Sequence, residues 1–124
     1  MTIQECYQVL GGDYAQVKKR LPGIHLIRRF IAKFLDDGSY PELCRAMEQG
    51  QTEEVFRAAH TLKGVSANLG FDRLMVSSGE LTELLRGRTD SIPTEAVPLL
   101  DMVRQDYELT ADAIRAYLNS DDQA

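Results

Sequence analysis

The sequence predicts an all-α protein, an antiparallel up-down four-helix bundle with short additional helices at its N-terminus. Apolar residues recur at helical spacing in seven segments, glycines separate most of these segments, and no segment alternates with period two over the length of a strand. Because the connections between the longer segments are short, consecutive helices are expected to be antiparallel neighbours.

The composition is that of one globular domain. The chain has 124 residues, of which 44% are hydrophobic, enough to form a core of ordinary size. Its net charge of −5 argues against nucleic acid as the main partner. No secretory signal and no bilayer-length apolar stretch is visible, so we expect a cytoplasmic protein without a membrane partner. Cys6 and Cys44 form no CxxC motif and are expected to be reduced, half-buried thiols.

Two short helices are predicted first, over about residues 3–10 and 14–20. Thr2 and Asp13 precede them as N-caps, each with a Glu or Gln three residues later, which is the spacing of a capping box. These helices are too short to be members of the bundle. Residues 1–21 are therefore expected to pack across one end of it.

The bundle itself is predicted to occupy residues 22–118, and residues 119–124 are expected to be a tail. Ser39, with a Glu three residues later, and Thr52, followed by two Glu residues, indicate helix starts. No linker or internal repeat divides the chain, so residues 1–124 are interpreted as a single domain. The predicted bundle helices extend over about 24–37, 40–49, 53–69, 72–86 and 95–118.

The helix predicted over residues 53–69 places a histidine on its solvent-facing side. At about 100° per residue, His60 lies about 140° from the centre of the apolar stripe. A histidine there is either an incidental surface residue or a functional one. Ser66 faces the core and is expected to bond to a helix carbonyl. The apolar stripe consists of Val55, Ala59, Leu62, Ser66 and Leu69.

The residues around His60 favour the functional interpretation. Lys63 and Gly64 lie one turn further along the same face. The lysine could stabilise negative charge added to the imidazole. A mid-helix glycine costs about 1 kcal/mol relative to alanine, but it leaves room for the surface of another protein. The small side chain of Ala67 does not protrude on the same face, and Phe56 adds apolar surface next to His60.

The segment from His60 to Gly70, HTLKGVSANLG, resembles the signature H-x-x-K-G-x-S-x-x-[LI]-G of histidine-containing phosphotransfer (HPt) domains and matches its six defining positions. The resemblance implies a phosphocarrier of multistep two-component phosphorelays. In that family His60 would accept the phosphoryl group, Lys63 would stabilise it, and Gly64 would admit the partner. The implied partners are response-regulator receiver domains and sensor or hybrid histidine kinases. Mg²⁺ is expected on the receiver, with no cofactor or metal on this chain, which is expected to be a monomer.

Members of this family often orient the imidazole with a polar residue from the following helix. Thr82 and Arg86 are the candidates, and Thr82 stands where many members have glutamine. Arg86 could equally complement the dipole at the C-terminus of its own helix. Together with Phe56 and Ala67, these two residues make up the predicted partner-binding surface.

Missing motifs exclude several other functions. The residues three positions before His25 and His60 are Pro22 and Arg57, so the Glu-x-x-His pairs of a di-iron bundle are absent. His25 is interpreted as an ordinary surface residue. No GxxxxGK[ST] loop or kinase glycine-rich segment is present, so we expect a phosphotransfer intermediate rather than an enzyme with its own ATP site.

Three functions stay open at this point. The first is a phosphocarrier between receiver aspartates. The second is a phosphorylatable domain that is a fragment of a chemotaxis-type or hybrid histidine kinase. The third is a non-catalytic helical adaptor in which His60 is incidental.

Overall fold

The computed structural model describes residues 1–120, which form seven α-helices and no strand. The all-helical fold class and the order of the helices are confirmed, and the predicted ends differ from the observed ones by only a few residues. The helices are α1 (Ile3–Leu10), α2 (Tyr14–Arg20), α3 (Ile24–Phe34), α4 (Ser39–Glu48), α5 (Thr52–Asn68), α6 (Asp72–Leu85) and α7 (Ala96–Leu118).

The last four helices pack side by side in chain order. α5 packs against both α4 and α6, α6 packs against α7, and α3 and α1 lie against α7. Aromatic rings join these layers in the core: the Phe34 ring of α3 lies 5.0 Å from Phe71, at the start of α6, and 5.8 Å from Tyr107 of α7. These edge and tilted contacts add to the burial of apolar surface that stabilises the fold.

Thr2 and Asp13 are both N-caps as the sequence predicts, and Thr2 alone of the two forms the full capping box. The Thr2 hydroxyl accepts from the backbone N–H of Glu5 at 3.1 Å, and the Glu5 carboxylate accepts from the backbone N–H of Thr2 at 2.8 Å. The Asp13 carboxylate accepts from the backbone N–H of Gln16 at 3.1 Å. These bonds satisfy N–H groups that the first turn of a helix leaves without intrahelical partners.

Both short helices hold the C-terminal end of α5. The buried Tyr7 hydroxyl of α1 donates to the Leu69 carbonyl at 2.7 Å. The Arg20 guanidinium of α2 donates to the carbonyls of Ala67 at 2.7 Å and Asn68 at 3.2 Å. The last carbonyls of a helix have no intrahelical donors, so these bonds fix the end of the helix that carries His60.

Replacing Tyr7 with phenylalanine should lower the free energy of unfolding by about 1–3 kcal/mol, because the Leu69 carbonyl would stay buried without its donor. Urea denaturation of both proteins measures this. Tyr14→Phe is the matched control, since Tyr14 is partly exposed and donates no hydrogen bond from its hydroxyl to a described residue. Equal losses in the two variants would contradict a role for the Tyr7 bond.

The junction between α3 and α4 differs from the prediction. α3 ends at Phe34, before residues 35–37. Ser39 is the first residue of α4 rather than its N-cap, and Gly38 occupies the cap position. The Asp37 carboxylate accepts from the backbone N–H of Ser39 at 2.9 Å. Asp37, rather than Ser39, therefore supplies the side-chain oxygen that satisfies a free N–H at the start of α4.

Two further expectations need correction. Cys6 is fully buried, not half-buried; its thiol donates to the Ala113 carbonyl at 3.5 Å, and burial raises the thiol pKa to about 11. Cys44 is half-buried as expected. Ser120 is not a free tail residue, because its hydroxyl accepts from the N-terminal ammonium at 2.9 Å. Asn119, the first residue of the predicted tail, is the C-cap of α7. Residues 121–124 lie outside the described residues, and the domain boundaries stay a prediction.

Within residues 1–120, no helix combines the length and the apolar character that crossing a membrane requires.

Candidate functional site

α5 presents His60 to solvent because its other face is occupied by the core. Every member of the predicted apolar stripe, from Val55 to Leu69, is buried, whereas His60 is exposed. The helical period of 3.6 residues separates the two faces, as the sequence predicts. The imidazole is therefore free to meet a group that arrives from outside the molecule.

Open space lies one turn beyond the imidazole, at Gly64. A Cβ built on Gly64 would have no heavy atom of a neighbouring element within 4 Å. Its φ is not positive, so neither the backbone conformation nor helix packing requires glycine here. Ala67, almost one further turn along, is half-buried and small. No bulky side chain therefore protrudes at Gly64 or Ala67, so another protein can approach His60 closely.

Lys63 reaches from α5 across to α6. A Cβ on Gly79 of α6 would lie 3.5 Å from both Cδ and Cε of Lys63, so the lysine stem crosses α6 where a glycine leaves room for it. This ordinary van der Waals contact supports the methylene chain while the ammonium stays near the surface. Lys63 forms no ion pair with any residue between 1 and 120, so its charge is available for an added anion.

Phe56 and Arg86 extend the site on the other side of His60. The rings of Phe56 and His60 meet edge-on with their centroids 5.7 Å apart. The Arg86 guanidinium, just past the end of α6, lies 5.3 Å from the Phe56 ring centre. A cation over an aromatic face is attracted to the ring quadrupole, so Phe56 links Arg86 to the imidazole.

Glu83 supplies the negative charge of the site. Arg86 Nε donates to the Glu83 carboxylate at 2.7 Å. This hydrogen bond is the main reason that the pKa of Glu83 is lowered from its usual value, and the charges of Arg86, Lys63 and protonated His60 lower that pKa further. Because Glu83 pairs with Arg86, whose guanidinium lies over the Phe56 ring, α6 brings both signs of charge to the site.

A comparison with known families agrees with this geometry. The Hpt domain family model matches residues 26–122 of the chain. The chain belongs to the Hpt domain family. The resemblance of the His60–Gly70 segment is thereby confirmed at the level of the family. Hpt domains act in two-component phosphorelays, where they interact with receiver domains and histidine kinases. No curated protein and no solved structure gives a significant match to the chain.

Thr82 does not occupy the position that the sequence analysis gave it. Its side chain is fully buried in this Hpt domain, and its hydroxyl donates to the Ser78 carbonyl at 2.7 Å. A buried hydroxyl bonded to its own helix cannot also contact a partner, so the structure contradicts Thr82 as a surface residue. The expectation for Ser66 is also wrong, because its buried hydroxyl has no hydrogen-bond partner in residues 1–120.

The sequence analysis missed one residue of the site, Glu83. It lies on α6 next to the flank that contains Gly79, Thr82 and Arg86, of which only Thr82 and Arg86 were given roles. Glu83 follows Gly79 by four residues and therefore shares its face. If α5 and α6 are aligned antiparallel with Lys63 opposite Gly79, the same alignment places Glu83 near the level of His60. In the sequence, an acidic residue one turn beyond the mid-helix glycine of α6 could have indicated this residue.

A groove of the Hpt domain lies away from His60. It has a volume of about 620 Å³ between α6 and α7, and Val76, Glu80 and Met102 are among its lining residues. None of the residues around His60 lines this groove. The described residues also contain no group of three or more His, Cys, Asp and Glu side chains able to hold a metal ion. The chemistry of the site therefore has to be sought on the surface around His60.

Proposed function

We propose that this Hpt domain is a phosphocarrier that accepts a phosphoryl group on His60 and passes it to a response-regulator receiver aspartate. The donor would be the phosphoaspartate of another receiver domain or a sensor kinase. One observation carries the proposal: the exposed His60 imidazole stands beside open space at Gly64 on an otherwise well-packed helix. A nucleophile that must meet a residue of another protein needs such an accessible position.

Transfer requires the neutral imidazole, because only an unprotonated ring nitrogen has a lone pair in the ring plane. That lone pair forms the N–P bond while the P–O bond to the donor aspartate breaks, and the aspartate leaves as a carboxylate with the electron pair. The imidazole becomes a phosphorylated imidazolium, which can lose the proton of its other nitrogen. Onward transfer reverses these changes. The receiver would bring Mg²⁺, which neutralises charge on the phosphoryl oxygens.

The residues next to His60 would stabilise and admit the phosphoryl group rather than react with it. The Lys63 ammonium would offset part of the negative charge that the imidazole gains. Gly64 and Ala67 would let the receiver approach, and Phe56 would give it apolar surface to cover. Arg86 lies over Phe56 and would meet the same partner.

The decisive experiment incubates the full chain with a receiver domain phosphorylated on its aspartate with ³²P. The expected result is label on the chain in an acid-labile, alkali-stable linkage, as a phosphohistidine requires. Absence of label with every receiver of the same genome would contradict a phosphocarrier and favour the non-catalytic adaptor. The kinase-fragment alternative is tested by sequencing the full gene. The monomeric state and the cytoplasmic location stay predictions.

Lys63→Ala should slow transfer by about one to two orders of magnitude and shift the end-point toward the receiver aspartate. Two unit charges about 4 Å apart gain about 1 kcal/mol in water and several times more at a covered interface, and each 1.4 kcal/mol is tenfold in rate. Lys63→Arg should recover part of the loss, since it keeps the charge but changes its shape. Rate and end-point of label transfer are measured at two salt concentrations.

Lys19→Ala is the matched control for this prediction, because Lys19 is an exposed lysine on α2, outside the site. An alanine variant of Lys63 that behaves like the Lys19 control in both rate and end-point would leave Lys63 as an ordinary surface lysine.

A further inference from the structure

Glu83 is an unexpected residue to find beside a phosphoryl acceptor. It is exposed on α6, one turn beyond the Gly79 against which the Lys63 stem lies. It is ion-paired at 2.7 Å with Arg86, whose guanidinium lies over the Phe56 ring that meets His60. A phosphoryl group on His60 would add up to two negative charges close to this carboxylate. Like charges repel, so Glu83 opposes the state that Lys63 favours.

We propose that Glu83 sets how the phosphoryl group is divided between His60 and the receiver aspartate, by destabilising phosphorylated His60. The proposal rests on the proposed phosphocarrier function and adds to it a residue that drives the group onward. Arg86 moderates the effect, since its guanidinium pairs with the carboxylate and neutralises part of its charge. Lys63 and Glu83 then act in opposite directions on the same equilibrium.

The end-point of transfer is the right quantity to measure because it is an equilibrium constant. In the reaction, the N–P bond of phosphorylated His60 breaks, the imidazole keeps that electron pair, and a carboxylate oxygen of the receiver forms the new O–P bond. A change in docking alters the forward and reverse rates equally and leaves the end-point unmoved. Only an interaction that differs between phosphorylated and unphosphorylated His60 shifts it.

The test uses the full chain and the receiver that accepts its phosphoryl group. Glu83→Gln keeps the size of the side chain and removes its charge. We expect its end-point to shift about 3- to 10-fold toward His60, as expected for one charge acting on a doubly charged group at several ångströms in a high dielectric. Glu83→Asp, which keeps the charge, should stay closer to wild type. Arg86→Gln should shift the end-point toward the receiver, because it exposes the full charge of Glu83.

Glu80→Gln is the matched control, because Glu80 is an exposed acid on the same helix that lines the groove toward α7 instead of the site. Its end-point should stay within about 2-fold of wild type. Raising the salt from about 0.05 M to 0.5 M should shrink the Glu83→Gln shift, because exposed charges are screened. A purely structural role for Glu83 would not produce that salt dependence.

Two results would overturn the inference. One is a Glu83→Gln end-point equal to that of Glu80→Gln. The other is an effect of Glu83→Gln that disappears when Arg86 is also replaced by Gln, because the shift would then come from a released Arg86. Loading with phosphoramidate, which needs no receiver, checks that every variant retains an accepting His60. A wild-type chain that takes no phosphoryl group would instead overturn the proposed function itself, together with this inference.

Discussion

Replacing His60 with glutamine is expected to abolish acceptance of the phosphoryl group while the fold stays intact. Glutamine has no ring nitrogen with a basic lone pair, so the N–P bond cannot form. The side chain of His60 is exposed and meets the Phe56 ring in a T-shaped contact at the surface, so its loss opens no cavity. The free energy of unfolding should change by about 0.5 kcal/mol or less.

His25→Gln is the matched control for this experiment, because His25 is an exposed histidine near the start of α3. Label from a phosphorylated receiver and the midpoint of thermal unfolding are measured for both variants. The His25 variant should accept label like wild type, and both should unfold like wild type. Label on the His60 variant would show that another residue is the acceptor.

Periodicity within one helix accounts for what the sequence predicts well. The apolar stripe of α5 fixes which way His60 points, because a helix has one face toward the core and the 3.6-residue period assigns every other position. The same argument correctly exposes Gly64, whereas Phe56, which it places on the exposed side, is half-buried. These statements need no knowledge of the neighbouring helices, so they can be made from the order of the residues alone.

Relations between helices are where the sequence prediction fails. Thr82 and Glu83 are adjacent, and which of them is buried depends on how far α6 is rotated against α5 and α7. That rotation is set by the packing of side chains from several helices, which one amphipathic pattern cannot fix. The family pattern favoured Thr82, whereas the observed rotation buries it and exposes Glu83.

A different limit applies at the ends of helices. Ser39 and Asp37 both have side chains that can cap the start of α4, and their preferences as N-caps differ little. The direction of the chain after Phe34 decides which oxygen reaches a free N–H group. Such boundaries therefore stay uncertain by a residue or two even where the helix itself is predicted correctly.

Replacing Gly64 with leucine should block transfer from a receiver while making the helix more stable. The Cβ at this position would meet open space, and the backbone already has a helical φ, so the new side chain brings no strain. Helix propensity should raise the free energy of unfolding by about 0.5–1 kcal/mol. The leucine would stand one turn from His60 in the path of the partner. We expect transfer to slow about 100-fold or more, a loss of about 2.7 kcal/mol of productive docking.

Two further measurements separate obstruction from chemical damage at His60. Phosphoramidate is a small donor that needs no protein surface, so it should phosphorylate His60 in the leucine variant at close to the wild-type rate. Gly64→Ala adds a single methyl group and should stabilise the helix to a similar degree while slowing transfer much less than leucine does. If the leucine variant accepted the phosphoryl group from the receiver at the wild-type rate, the partner would have to approach His60 from the side of Phe56 and Arg86 instead of over Gly64.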